Sequence, residues 1–366
     1  MNLREDMLAV YRKQPSGKVV LGSYSRYLPR SAVERHVRNG GMGIIEYFPA
    51  ATMIAPPWHF YEGYLSQVKG TDITVRHFWE HGKRIERREW ITPVGTLTGE
   101  IEYDPAGAGS EHIRKHYIAE PEDYGIMTWV VENTLIESNA QEISRRTEIL
   151  GEDGVLLGRL DRTPYQKCLI ELAGPERFLV DLFTMPEKVE PLLNAIDMKL
   201  EEQCTLAAES GVQVIWQPDN VTCDMTPPDA FRKYCLPLYQ KNSRRFAELG
   251  IPYLVHMDGK VKALAGEINA SGIDAIESFS IPDMGGDLEV AEAQALFPEI
   301  GILPNFPSNW SALGENELRE KLSGWLAGMD RKKAVMLQIS EDIPSSEWMR
   351  IFPVITDQVR IENAKR

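Results

Sequence analysis

The chain is poor in cysteine: four residues in 366, Cys168, Cys204, Cys223 and Cys235. None forms a C-x-x-C pair, which excludes paired-thiolate zinc knuckles and a disulfide framework and leaves reduced thiols in a cytoplasmic protein as the expectation. No apolar run approaches the ~18 residues of a membrane span. The opening MNLREDMLAVYRK is charged and has no apolar centre, so no signal peptide is expected. Basic residues are outnumbered, 40 Lys and Arg against 54 Asp and Glu, for a net charge of -14. That balance disfavours nucleic acid or an anionic membrane as the main partner. A nucleotide loop is missing too: Gly40-Gly41-Met42-Gly43 precedes a strand, whereas the dinucleotide fingerprint follows one. There is no serine nucleophile elbow and no phosphate loop.

What the chain does have is a large apolar fraction, 43%, arranged in a repeating order. Short apolar runs bounded by turns are expected as buried parallel strands. They fall at Lys18–Tyr24, Met42–Phe48, Val155–Leu160, Val212–Gln217, Tyr253–Val255, Ile273–Phe279, Ile300–Leu303 and Val335–Ile339. Helical spacing lies between most of them, with continuous tracts expected over Pro121–Ser144 and Pro175–Ser210. Eight strands with intervening helices predict a (β/α)8 TIM barrel, which typically needs about 250 residues. The remainder is accounted for by residues 50 to 118. There Thr74–Trp79, Lys83–Thr92 and Gly95–Glu102 alternate with period two, and Pro56–Tyr61 is an aromatic loop. This stretch is expected as an inserted antiparallel β excursion after the second strand, near the barrel mouth, with residues 1 to 366 forming one domain.

In a β/α barrel the chemistry sits at the C-terminal ends of the strands. Here those ends carry Arg26 and Tyr27, Glu46 and Tyr47, Asp161, Asp219, His256 and Asp258, Glu277, Asn305, and Glu341. Carboxylates crowded in a dry pocket repel one another unless a cation lies among them. A divalent metal answers that need, and one imidazole with several carboxylates suits zinc among other ions. His256 and Glu341 are expected as ligands, with Asp258 and Glu277 as candidates for the remaining positions. Asp219 and Glu277 are the candidate acid–base groups. Arg26, Tyr27, Glu46, Tyr47, Trp58 and Asn305 are expected to bind substrate. Some residues of so long a set will be helix caps or will stand behind the metal-binding residues, with no direct part in the chemistry.

Several segments resemble the uroporphyrinogen decarboxylase superfamily. They are Thr226-Pro227-Pro228-Asp229-Ala230-Phe231 leading to Leu236-Pro237-Leu238-Tyr239, Ile273 to Glu277 through Pro282-Asp283-Met284-Gly285-Gly286, and Ile302-Leu303-Pro304-Asn305-Phe306. The likeness runs from about Val155 onward. Earlier, Arg26-Tyr27-Leu28-Pro29 is similar to the end of the decarboxylase motif R-Q-A-G-R-Y-L-P, but Gly22 to Ser25 supply no first arginine. The other branch of the superfamily holds zinc methyltransferases that work with corrinoid proteins. They carry H-x-C after one strand and a further cysteine after the last. The matching positions are His256, Asp258 and Glu341, so the histidine is kept and carboxylates stand for both thiolates. The resemblance implies an O-demethylase methyltransferase. It would pass methyl from a methoxylated, aromatic small molecule to the cobalt of a partner corrinoid protein, with Zn2+ as Lewis acid. A homodimer is the oligomer to test for. The alternative is a metal-free decarboxylase of a uroporphyrinogen-like or other carboxylated substrate.

Overall fold

The computed structural model describes residues 2–57, 66–103 and 111–365. Trp58, expected in the substrate site, lies outside them. Eight parallel strands form the barrel: β1 (Val20–Tyr24), β2 (Met42–Pro49), β3 (Gly154–Arg159), β4 (Ile215–Gln217), β5 (Tyr253–His256), β6 (Ala275–Phe279), β7 (Gly301–Pro304) and β8 (Met336–Ile339). Each pairs with its neighbours in chain order, and β8 pairs with β1. Parallel bridges Ile302–Val335 and Asn305–Gln338 bring β7 to β8 and complete the circuit. The fold is a (β/α)8 barrel with an added antiparallel sheet, as the alternation of the sequence predicts.

The strands are buried on both faces because helices cover the outside. The helix Glu315–Ala327 buries Leu318, Leu322 and Leu326, one residue per turn along a single face. The helix Leu236–Glu248 buries Tyr239, Asn242, Ser243 and Phe246. An N-terminal helix, Leu3–Tyr11, starts at a capping box between Asn2 and Glu5. Its Met7 is fully buried against Gly43 near the start of β2, where a Cβ would lie 2.3 Å from the methionine sulfur. Met7 thus fills the N-terminal end of the barrel.

Register decides which side chains face inward, since neighbours across a parallel pair point the same way and the pattern alternates along each strand. Tyr24 is in register with Ile45, Arg159 with Trp216, and His256 with Glu277. The inward set near the C-terminal ends is therefore Tyr24, Tyr47, Arg159, Trp216, His256 and Glu277.

The described residues sort into two compact units. One is Met1–Phe48, Glu142–Arg159 and Gly211–Arg366; the other is Pro49–Gln141 and Leu160–Ser210. The second unit contains the excursion, a sheet of Asp72–Glu80, Lys83–Thr92, Gly95–Tyr103 and Glu111–Lys115 in that order. Its first hairpin turns on His81 and Gly82, both at positive φ, the geometry that matches the twist of paired strands.

Two long helices expected from sequence are interrupted. Residues 121 to 144 hold Asp123–Glu132 and the start of Ala140–Leu150, separated by the short strand Thr134–Leu135, which pairs with Gln67–Val68. The Asn133 and Thr134 side chains turn back onto the Trp129 and Val130 carbonyls and end the first helix. The tract from Pro175 breaks at Met185, because the ring of Pro186 disfavours helical backbone in the residue before it.

Gly154 opens β3 where β2 passes closest: a Cβ there would fall 1.9 Å from the Ile44 carbonyl oxygen. Gly324, inside the helix Glu315–Ala327, has nothing within 4 Å of its Cβ position. Gly154→Ala should destabilise the fold by about 1–3 kcal/mol through backbone overpacking. Gly324→Ala should stabilise it by about 0.5–1 kcal/mol through helix propensity. Urea unfolding of the two variants beside the parent measures both, and equal midpoints for all three would contradict the β2–β3 packing.

Candidate metal centre and active site

Glu277 is the most constrained side chain of the barrel. It is fully buried on β6 and accepts three hydrogen bonds from three different strands. The Tyr24 hydroxyl donates to Oε1 at 2.8 Å, the Trp216 indole to Oε2 at 2.9 Å, and His256 Nδ1 lies 2.6 Å from Oε2. Burial and the Glu277 charge push the Tyr24 pKa well up, so its hydroxyl stays a donor.

With Nδ1 held by Glu277, the remaining ring nitrogen of His256 turns toward Asp258, whose Oδ2 is 3.6 Å away. Asp258 also accepts from the Asn220 amide at 2.8 Å. Donor atoms of His256, Asp258 and Glu341 all lie within 4.8 Å of one another. Burial alone would lower the His256 pKa, but the flanking carboxylates Glu277 and Asp258 outweigh it and raise the value to about 10. Glu341 is shifted upward by burial and by Asp258 and Glu277, against the opposing pull of His256 and a Ser278 hydrogen bond. These three residues fit a divalent cation. One imidazole and two carboxylates converge, and the imidazole is oriented from behind by a carboxylate as ligand histidines are.

The structure gives Glu277 a different place from the one expected of it as a ligand. Its oxygens are occupied by Tyr24, Trp216 and His256, so it orients the imidazole. Asp219 is fully buried and accepts from the Tyr239 hydroxyl at 2.5 Å, on the covering helix Leu236–Glu248. Glu46 and Tyr47 divide by strand alternation. Tyr47 faces inward, its ring 5.4 Å from Tyr24 and 5.0 Å from Trp216. Glu46 points to the opposite face and pairs with Arg146 at 2.7 Å, so it is not placed among the inward aromatic residues. Asp161, another strand-end carboxylate, belongs to the second unit, where it is fully buried and paired with Lys167 at 2.9 Å.

Arg26 stacks on Tyr27, its guanidinium 4.6 Å from the ring centroid, and is exposed. The Tyr27 hydroxyl donates to Asp342 at 2.5 Å. Asn305 is fully buried just past β7, and its amide oxygen accepts from both the backbone N–H and the hydroxyl of Ser340 at 3.0 Å. It thereby fixes the residue before Glu341. Sequence reasoning missed Trp216 and Arg159. Both sit within strands and share a register pair, and only knowledge of which strand face is inward could have singled them out.

These features define a class: a β/α barrel whose strand ends hold a histidine–carboxylate centre walled by aromatic rings. Residues 169–344 match the family model of uroporphyrinogen decarboxylase (URO-D). Among solved structures, a methyltransferase from Methanosarcina mazei superposes with a TM-score of 0.56 at 12% identity, over 99% of this chain and 98% of that one. No curated protein sequence matches the chain. The family match lies within the stretch, from about Val155 onward, whose motifs resemble the uroporphyrinogen decarboxylase superfamily, and it supports that likeness. No helix among the described residues is long and apolar enough to cross a membrane.

The paired His256 gives a pH dependence with a definite sign. Its folded-state value, about 10, lies above the ~6.5 of an unfolded histidine. Its stabilising contribution is therefore complete below ~6.5 and is lost as pH rises toward 10. With a chelator present, the parent's urea midpoint should fall across that window more steeply than that of His256→Ala. Parallel profiles would contradict the charged pair.

Proposed function

We propose that the protein is a corrinoid-dependent methyltransferase of the O-demethylating type. It acts in the cytoplasm on a methoxylated aromatic compound and passes the methyl group to cobalt(I) carried by a partner corrinoid protein. The observation that carries this reading is the convergence of His256, Asp258 and Glu341 donors within 4.8 Å, backed by Glu277. When bound there, zinc would supply a Lewis acid for an ether oxygen, and oxygen ligands in place of thiolates would leave it more positive.

The rest is the work of the chain. Tyr24, Tyr47 and Trp216 form an aromatic wall at the strand ends, suited to an aromatic donor ring. Glu277 holds His256 in one tautomer and one orientation. Asn305 and Ser340 hold the backbone that leads to Glu341. In the reaction the methyl–oxygen bond breaks and a methyl–cobalt bond forms with the cobalt electron pair. The oxygen leaves as phenoxide and takes a proton from water.

The test is zinc content together with methyl transfer from a methoxylated aromatic acid or phenol to cob(I)alamin. The parent should hold about one zinc per chain and form methylcobalamin, while His256→Ala and Glu341→Gln should lose both with the barrel intact by circular dichroism. Full metal and activity in both variants would refute the centre. A parent that releases carbon dioxide from a carboxylated substrate without metal would shift the reading to the decarboxylase alternative, with Asp219 as an acid–base group.

A further inference from the structure

β6 sends two consecutive side chains into the same site. In a regular strand neighbours point to opposite faces. Glu277 faces inward to Tyr24, Trp216 and His256, so Ser278 should face the outer helices. Instead Ser278 has φ +56°, in the left-handed region, and the pairing of β6 with β7 shifts register between Ile276 and Phe279. The hydroxyl lies 2.9 Å from the Ser340 hydroxyl and 3.3 Å from Glu341 Oε1, and the backbone N–H donates to Gln338 at 3.3 Å. The residue is fully buried. Left-handed backbone is unfavourable for a residue with a Cβ, and strain of this kind persists where surrounding contacts over-determine it, often at functional sites.

We propose that Ser278 is a positioning residue that locks the two arms of the metal centre together. One arm is the imidazole of His256, held through the adjacent Glu277. The other is the carboxylate of Glu341, held by the Ser278 hydroxyl. The left-handed turn is what lets consecutive residues serve both. Ser340 is fixed independently by Asn305, so loss of the Ser278 hydroxyl removes the link to Glu341 while leaving Ser340 a partner. The inference rests on the metal centre of the preceding section, and the conformational strain separates it from a purely structural role. Glycine at 278 relieves the strain and deletes the link; alanine keeps the strain and deletes the link.

Three measurements on the full-length parent, Ser278→Gly and Ser278→Ala test it: zinc affinity by chelator competition, thermal midpoint of the metal-free protein, and metal-free crystal structures. Both variants should bind zinc about tenfold more weakly, as loss of an outer-sphere partner does. Ser278→Gly should keep or raise the metal-free midpoint, and its Glu341 carboxylate should withdraw from His256. Zinc affinity within about twofold of the parent in both variants would overturn the proposal. So would a Ser278→Gly protein that loses stability together with affinity. If the parent itself binds no zinc, the metal reading fails and the crystal structures decide. An unchanged His256–Glu341 distance in Ser278→Gly then overturns the lock, and a widened one sustains it.

Discussion

Everything at the mouth of the barrel depends on the burial of one carboxylate. Glu277 is fully buried, and a bare buried charge costs several kcal/mol even after relaxation. Its stabilisation comes from donors on the adjacent strand β5 and on β4 and β1, which are not its sheet neighbours. The requirement works in both directions. Glu277 needs Tyr24, Trp216 and His256 in place, and by needing them it fixes the aromatic wall and the imidazole at once. A barrel with an apolar residue at this position would close its core as well, but His256 would then be free to choose its tautomer and direction.

The acidic residues near the strand ends separate into groups by what each one meets. Asp258 and Glu341 stand with His256 as a candidate cation site. Glu277 is satisfied by hydrogen bonds. Asp219 meets a tyrosine hydroxyl, Glu46 an arginine on the outer face, and Asp161 a buried lysine. In the second unit Lys167 also pairs with Glu171 at 2.8 Å and Arg162 with Glu171 at 2.9 Å. That chain of alternating charges is internally compensated, which is the condition for keeping it buried. A net charge of -14 therefore says little about the site, because most of the candidate acids are paired.

Much of the architecture was legible in the sequence, since buried strands and amphipathic helices write their periods directly into the order of apolar residues. The eight strands and the antiparallel excursion could be read that way, as could His256, Asp258 and Glu341 as residues of interest. The interruptions were not. Two helical tracts continue in hydrophobic pattern across Thr134 and Met185, and local side-chain bonds or a following proline end them instead.

What the sequence by itself determined is the set of elements and the chemical inventory at their ends. What only the tertiary structure decided is direction. A period-two strand does not say which of its faces is inward, so Glu46 and Tyr47 exchange roles only once β2 is in register with β1. Trp216 becomes a partner of Glu277 because both point into the barrel, from β4 and β6 on either side of β5, a relation between residues distant in the chain. Ser278 joins the site through a left-handed backbone that no residue type at that position signals. Alternation is a local property of the chain, whereas convergence on one point belongs to the closed sheet, and the candidate site is made of convergence.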